Sequence, residues 1–155
     1  MEPHVEIRDI PEQHVLGIRW RTDITCLGSE IGAAYHELFT YLGSKGIQPL
    51  GMPYAEYFEV SGMAVDLECG VPVAPGSEGE GRIVARVIPA TKALFAIHVG
   101  PYETMVDTYA QIDDWIKVNG YTYAGNVREI YNSDPQQEKD SSKWVTEIIR
   151  PVRKI

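Results

Sequence analysis

Trp144-Val145-Thr146-Glu147-Ile148-Ile149-Arg150-Pro151-Val152 is a run of β-branched and aromatic residues closed by a proline, which reads as a β-strand. Strand side chains alternate between two faces. Trp144, Thr146, Ile148 and Arg150 therefore share one face, and Val145, Glu147 and Ile149 the other. Glu147 stands in an apolar row, where a carboxylate is costly unless it is paired, protonated or turned to a cavity. The stretch has an echo in Val65-Asp66-Leu67-Glu68-Cys69-Gly70-Val71-Pro72-Val73, with Glu, Pro and Val at the same spacing. There Asp66 shares the face of Glu68, so Glu68 is expected on an ordinary half-solvated strand.

Working outward, the pattern around each copy is similar. Val5 to Ile10 reads as a strand ended by Pro11, and Ile83 to Ile88 as one ended by Pro89. Extended stretches follow at His14 to Arg21 and at Ala93 to Val99. Then comes a helix. Ser29 is the expected N-cap of the first, with Glu30 facing the helix dipole and Ile31, Ala34, Tyr35, Leu38, Tyr41 and Leu42 at helical spacing up to a Gly46 cap. The second runs from Tyr102 to about Asn119, with Val106, Tyr109, Ile112, Trp115 and Ile116 on one face and Gly120 after it. Residues 47–60 and 121–131 read as extended. Pro-Val-Ala-Pro-Gly-Ser-Glu-Gly-Glu-Gly, ending at Gly81, reads as a linker. The expectation is one α+β domain over 1–155, internally duplicated as β-β-α-β-β, with half-repeats 4–73 and 82–153 joined by 74–81. Two half-sheets, each with a helix, would leave a ligand cleft between the halves.

The 155 residues, 44% hydrophobic and 23% charged, suit a soluble globular domain. A net charge of −8 argues against direct nucleic-acid binding and against an anionic membrane surface, and is compatible with a cationic ligand. Cys26 and Cys69 have no metal-like spacing, and Met1-Glu2-Pro3-His4 lacks the start of an export signal. A cytoplasmic protein with free thiols follows as the expectation. No metal site or cofactor is expected: Ser-His-Asp, HExxH and phosphate-loop patterns are missing.

His98-Val99-Gly100-Pro101-Tyr102-Glu103, Tyr109, Trp115, Asn119-Gly120-Tyr121, Gly125, Arg128-Glu129-Ile130-Tyr131-Asn132-Ser133-Asp134-Pro135 and Val145-Thr146-Glu147-Ile148 form an ordered set. With Asp66-Leu67-Glu68 and Gly70-Val71-Pro72-Val73, this set resembles the GyrI-like family, the effector-binding domain also fused to DNA-binding regions in AraC- and MerR-type regulators. The resemblance spans nearly the whole chain, and its specificity lies in the set rather than in any one motif. It implies a fold shared with the SOUL haem-binding group, here as a stand-alone form. It also implies a pocket for bulky aromatic or cationic small molecules, with xenobiotics as the ligand class.

Family members with cationic ligands use the glutamates of the Thr-Glu-Ile and Arg-Glu-x-Tyr strands, which are Glu147 and Glu129 here. Tyr54, Tyr57 and Phe58 in the first half, and Tyr102, Tyr131 and Trp115 in the second, are the expected walls; nine tyrosines against three phenylalanines favour rings with polar tips. For Trp115 an ordinary core role competes with that of a wall. His98 is a candidate general base or ligand contact, against the plainer reading of a satisfied structural histidine. Two alternatives stay open. One is a hydrolase of cyclopropane-bearing DNA-alkylating compounds, with Glu147 and Glu129 directing water. The other is a protein–protein role, protecting DNA gyrase or serving a regulator.

Overall fold

The computed structural model describes residues 4–135 and 137–155. Its elements are β1 (His4–Ile10), β2 (Gln13–Asp23), α1 (Leu27–Lys45), β3 (Tyr54–Ser61), β4 (Ala64–Pro72), β5 (Ile83–Ile88), β6 (Thr91–Val99), α2 (Met105–Val118), β7 (Tyr121–Tyr123), β8 (Val127–Tyr131) and β9 (Val145–Lys154). The protein is thus mixed α+β, with antiparallel strand pairing and two helices. The two echoing stretches became β4 and β9. Met1, Glu2 and Pro3, part of the start read as lacking an export signal, lie outside the described residues. Among the described residues no helix is long and apolar enough to cross a membrane.

Two compact units emerge: Pro11–Ala90, and the residues up to Ile10 together with Thr91–Ile155. In the first, the strand order is β3-β4-β2-β5. In the second it is β1-β6-β9-β8, with β7 pairing the end of β9. The units therefore do not coincide with the stretches 4–73 and 82–153. β1 pairs with β6, β5 pairs with β2, and 74–81 is a loop inside the first unit.

In the 11–90 unit, α1 covers the face of Ile18, Leu67 and Cys69, all fully buried, with its own Ala34, Leu38 and Leu42. Tyr35 on α1 donates from its hydroxyl to the Tyr54 carbonyl, 2.5 Å away. The helix begins three residues earlier than the Ser29 cap anticipated. Asp23 accepts from the Thr25 amide and hydroxyl at 2.8 and 2.6 Å, which sets the turn ahead of the helix, and Cys26 occupies the cap position. Ser29 instead donates to the Cys26 carbonyl. Glu30 accepts from Trp20 Nε1 at 3.1 Å and from Thr22 Oγ1, fastening α1 to β2. Gly46 ends the helix in the left-handed region at φ 66°.

The other face of this unit has an opening built from glycine. Gly17 and Gly70 lie opposite each other in the β2–β4 register. A β-carbon at Gly70 would stand 2.5 Å from the Tyr54 hydroxyl oxygen and 2.9 Å from the Leu16 carbonyl oxygen. One at Gly17 would stand 2.9 Å from the Glu68 carboxyl group. Gly70→Ala is therefore expected to destabilise by about 1–3 kcal/mol through overpacking. Gly32→Ala, in α1 with nothing within 4 Å, is expected to stabilise by roughly 0.5–1 kcal/mol. Urea denaturation of both variants checks the pair.

In the second unit, α2 packs Met105, Ile112 and Ile116 over Leu94 and Ala96 of β6 and Ile148 and Val152 of β9. Trp115 sits at the rim of this cluster, stacked on Tyr121 with ring centroids 6.2 Å apart. Val106 departs from the expected apolar stripe and is 69% exposed. The opposite face carries a smaller cluster of Ala93, Phe95 and Ile149, flanked by Ile10, Ile97 and Ile130.

Candidate functional site

The register of β8 against β9 decides where the two nominated acids go. Glu129 is opposite Ile148 and Tyr131 opposite Thr146, whereas Glu147 is opposite Ile130. Cross-strand partners share a face and sequence neighbours do not. Glu129 and Tyr131 thus lie on the face that α2 covers, and Glu147 on the other, in the row of Ile97, Ile130 and Ile149. The shared anionic corner anticipated for Glu129 and Glu147 does not form. A one-residue offset between the strands is enough to separate them.

Glu129 accepts hydrogen bonds from the hydroxyls of Tyr109, on α2, and Tyr131, the latter at 2.8 Å. Burial pushes its carboxyl above the usual 4.5, and the two tyrosine bonds offset part of that rise. Among the described residues no lysine or arginine forms an ion pair with Glu129. Glu147 accepts from the Asn132 side-chain amide at 2.6 Å.

Aromatic rings adjoin Glu129. Tyr102 meets Tyr131 edge-on at 5.8 Å and lies tilted against Trp144 at 5.0 Å. The Trp144 indole donates to the Glu138 carbonyl at 2.7 Å, which fixes its ring. Tyr102 remains 39% exposed, so the group has an open side. Burial, together with the nearby charges of Glu129 and Asp134, raises the Tyr102 phenol. Tyr109 and Trp144 were not among the nominated residues. Their signals were present: Tyr109 on the apolar stripe of α2, and Trp144 in the row of Thr146, the partner of Tyr131.

Two nominated residues have mainly supporting contacts. Trp115 belongs to the core already described. His98 is buried, with Nδ1 2.6 Å from the Thr108 hydroxyl and Nε2 3.1 Å from the Pro101 carbonyl and from the Thr104 hydroxyl. A carbonyl only accepts, so the Nε2 proton points to Pro101. Both ring nitrogens are engaged: Nε2 braces the Gly100-Pro101 turn that delivers Tyr102, and Nδ1 ties β6 to α2 through Thr108.

The 11–90 unit holds a second cluster. Tyr54 donates to Glu68 Oε1 at 2.7 Å. Arg86 on β5 donates to Glu68 Oε1 at 2.5 Å, to Glu68 Oε2 at 3.3 Å and to Glu56 Oε1 at 2.8 Å. The half-solvated Glu68 anticipated above is in fact buried, at 4% exposure, because Gly17 on the neighbouring strand leaves space for its carboxylate. Burial alone would lower the Arg86 guanidinium; its bonds to Glu68 and Glu56 outweigh that and raise it. Phe58, at a bulge in β3, lies beneath the Arg19 guanidinium at 3.8 Å. Tyr57 is opposite Leu67 and so faces α1, away from Tyr54 and Glu56. Among the described residues no group of three or more His, Cys, Asp or Glu side chains is placed to hold a metal.

Antiparallel strands, two helices and an acid–aromatic cluster in each unit define a mixed α+β domain with two polar sites. The chain belongs to the GyrI-like small molecule binding domain family, whose profile matches residues 3–153. It is similar to the EcmrR C-terminal domain, at 27% identity and a TM-score of 0.83, covering all of both chains. It is likewise similar to EcmrR in a DNA complex, at 27% identity and a TM-score of 0.81, covering 99% of this chain but 58% of that one. SAV2435 bound to tetraphenylphosphonium has the same fold at 11% identity and a TM-score of 0.63, covering 97% of this chain and 94% of that one. No curated protein matches the chain.

Proposed function

We propose that this protein binds bulky aromatic cations, a chemistry typical of xenobiotics, with Glu129 as the charge partner. One observation carries the reading: a buried carboxyl held by two tyrosine hydroxyls, with no basic side chain bonded to it among the described residues, beside a partly open group of rings. A lipophilic cation supplies the opposite charge that burial withholds, and tyrosine and tryptophan faces attract it further. Tyr109 and Tyr131 hold the carboxylate, while Tyr102 and Trp144 offer ring surface. The family's small-molecule role and the tetraphenylphosphonium complex of SAV2435 support this choice of ligand. Glu147 is on the opposite face, so Glu147→Gln is expected to leave binding at Glu129 within about twofold, well under 1 kcal/mol.

Calorimetric titration with tetraphenylphosphonium and with neutral triphenylphosphine oxide tests the proposal. Saturable binding is expected, favouring the cation by about tenfold or more, or ~1.4 kcal/mol. Mass spectrometry should return the cation intact, which separates binding from hydrolysis. Equal affinity for the two compounds, or no saturable binding, would overturn the reading.

The raised carboxyl also fixes a pH dependence. In the free protein Glu129 favours the folded state fully below the unfolded value near 4.5, and this contribution is lost as pH rises through the higher folded value. A cation prefers the ionised form, so its affinity should climb over the same window. Titrations stepped upward from pH 4.5 check the sign; affinity falling with pH would contradict it.

A further inference from the structure

The cluster around Arg86 has the parts of a cation site and already contains a cation. Glu68 and Glu56 present carboxylate oxygens to one guanidinium, Tyr54 donates to the Glu68 oxygen that Arg86 also bonds, and the Phe58 ring lies 5.6 Å from the Arg86 head group. The Gly17–Gly70 pair leaves the hollow into which Glu68 and Tyr54 fit. The neighbouring Arg19 is held in a two-bond pair with Asp66 at 2.9 and 3.1 Å. Arg86 bonds both Glu56 and Glu68. It comes from β5, the edge strand of its unit, and its side chain is 30% exposed, whereas those of Glu56 and Glu68 are 9% and 5% exposed. The side chain closes the hollow from the solvent side.

We propose that this cluster is a guanidinium-selective site filled by the chain's own Arg86, and that removing that side chain opens it to small external guanidinium or amidinium ions. The planar fork of a guanidinium can bond two carboxylates at once, which an ammonium point charge does less well. Arg86 thereby restricts what the domain binds: while seated, it leaves external cations to other acids. The inference is independent of the role given to Glu129.

The test uses the full chain carrying Glu129→Gln, so that the other acid does not contribute. Arg86→Ala is added, and thermal stability is followed during titration with methylguanidinium or methylammonium. Saturable stabilisation by methylguanidinium is expected, at a midpoint at least fivefold lower than for methylammonium. It should vanish when Arg86 is retained and when Glu68→Gln is added. No saturable response, an equal response with Arg86 present, or persistence after Glu68→Gln would overturn the proposal. If Arg86→Ala does not fold, Arg86→Gln keeps neutral donors and should respond in the same way. If neither folds, methylguanidinium during refolding should restore soluble protein, and failure to do so counts against the site.

Discussion

Glu129→Gln is expected to weaken tetraphenylphosphonium binding about tenfold or more without loss of the fold. The amide matches the carboxyl in shape: the two tyrosines bond different carboxyl oxygens, so the amide oxygen can still accept from one hydroxyl while the amide nitrogen donates to the oxygen of the other. What disappears is the charge. Two unit charges 5–6 Å apart at an effective dielectric constant near 20 attract by roughly 3 kcal/mol. If about half of that is cancelled by desolvating the cation, ~1.5 kcal/mol remains, close to a tenfold change in affinity. The free variant should be as stable as the parent near neutral pH, or more so, because an ionised carboxyl disfavoured by burial has been removed. Calorimetry and thermal denaturation of the same samples separate the two effects. Unchanged affinity would remove Glu129 from the site.

Leu94→Ala should produce the largest loss of stability, about 3 kcal/mol within the usual span of 2–5 for such truncations. Leu94 is fully buried under α2, among Ala96, Met105, Ile112 and Ile148. Its strand is paired on both sides, opposite Ile7 in β1 and Arg150 in β9. The backbone is therefore poorly able to close around the missing atoms, which favours a persistent cavity. For a chain of this size the melting temperature should fall by roughly 6–12 °C. Val106→Ala, on the exposed side of α2, should change stability by less than about 0.5 kcal/mol. Similar losses for both variants would contradict the packing described for α2.

Much of the local structure was legible because it depends on short-range pattern. The period-two run at 144–152 reported a strand with Glu147 in an apolar row, and that row is made of Ile97, Ile130 and Ile149. The helical stripe ending at Gly46 was similarly clear. Features that depend on which strand neighbours which were not legible. The burial of Glu68 depends on Gly17 in β2, some fifty residues earlier in the chain. The separation of Glu129 from Glu147 rests on a register that neither strand specifies alone. The pairing of β1 with β6, and of β5 with β2, is likewise non-local and shifted the unit boundaries.

The most direct measurement of the central claim is the proton balance of cation binding. If tetraphenylphosphonium binds by pairing with Glu129, it favours the ionised carboxyl and must release protons wherever the free protein holds Glu129 partly protonated. Calorimetric titrations at one mildly acidic pH, in buffers of different ionisation enthalpy, report that number. The expected result is release of up to one proton per bound cation in the parent, abolished in Glu129→Gln. Binding without proton release throughout the acidic range, or release that persists in Glu129→Gln, would contradict the account.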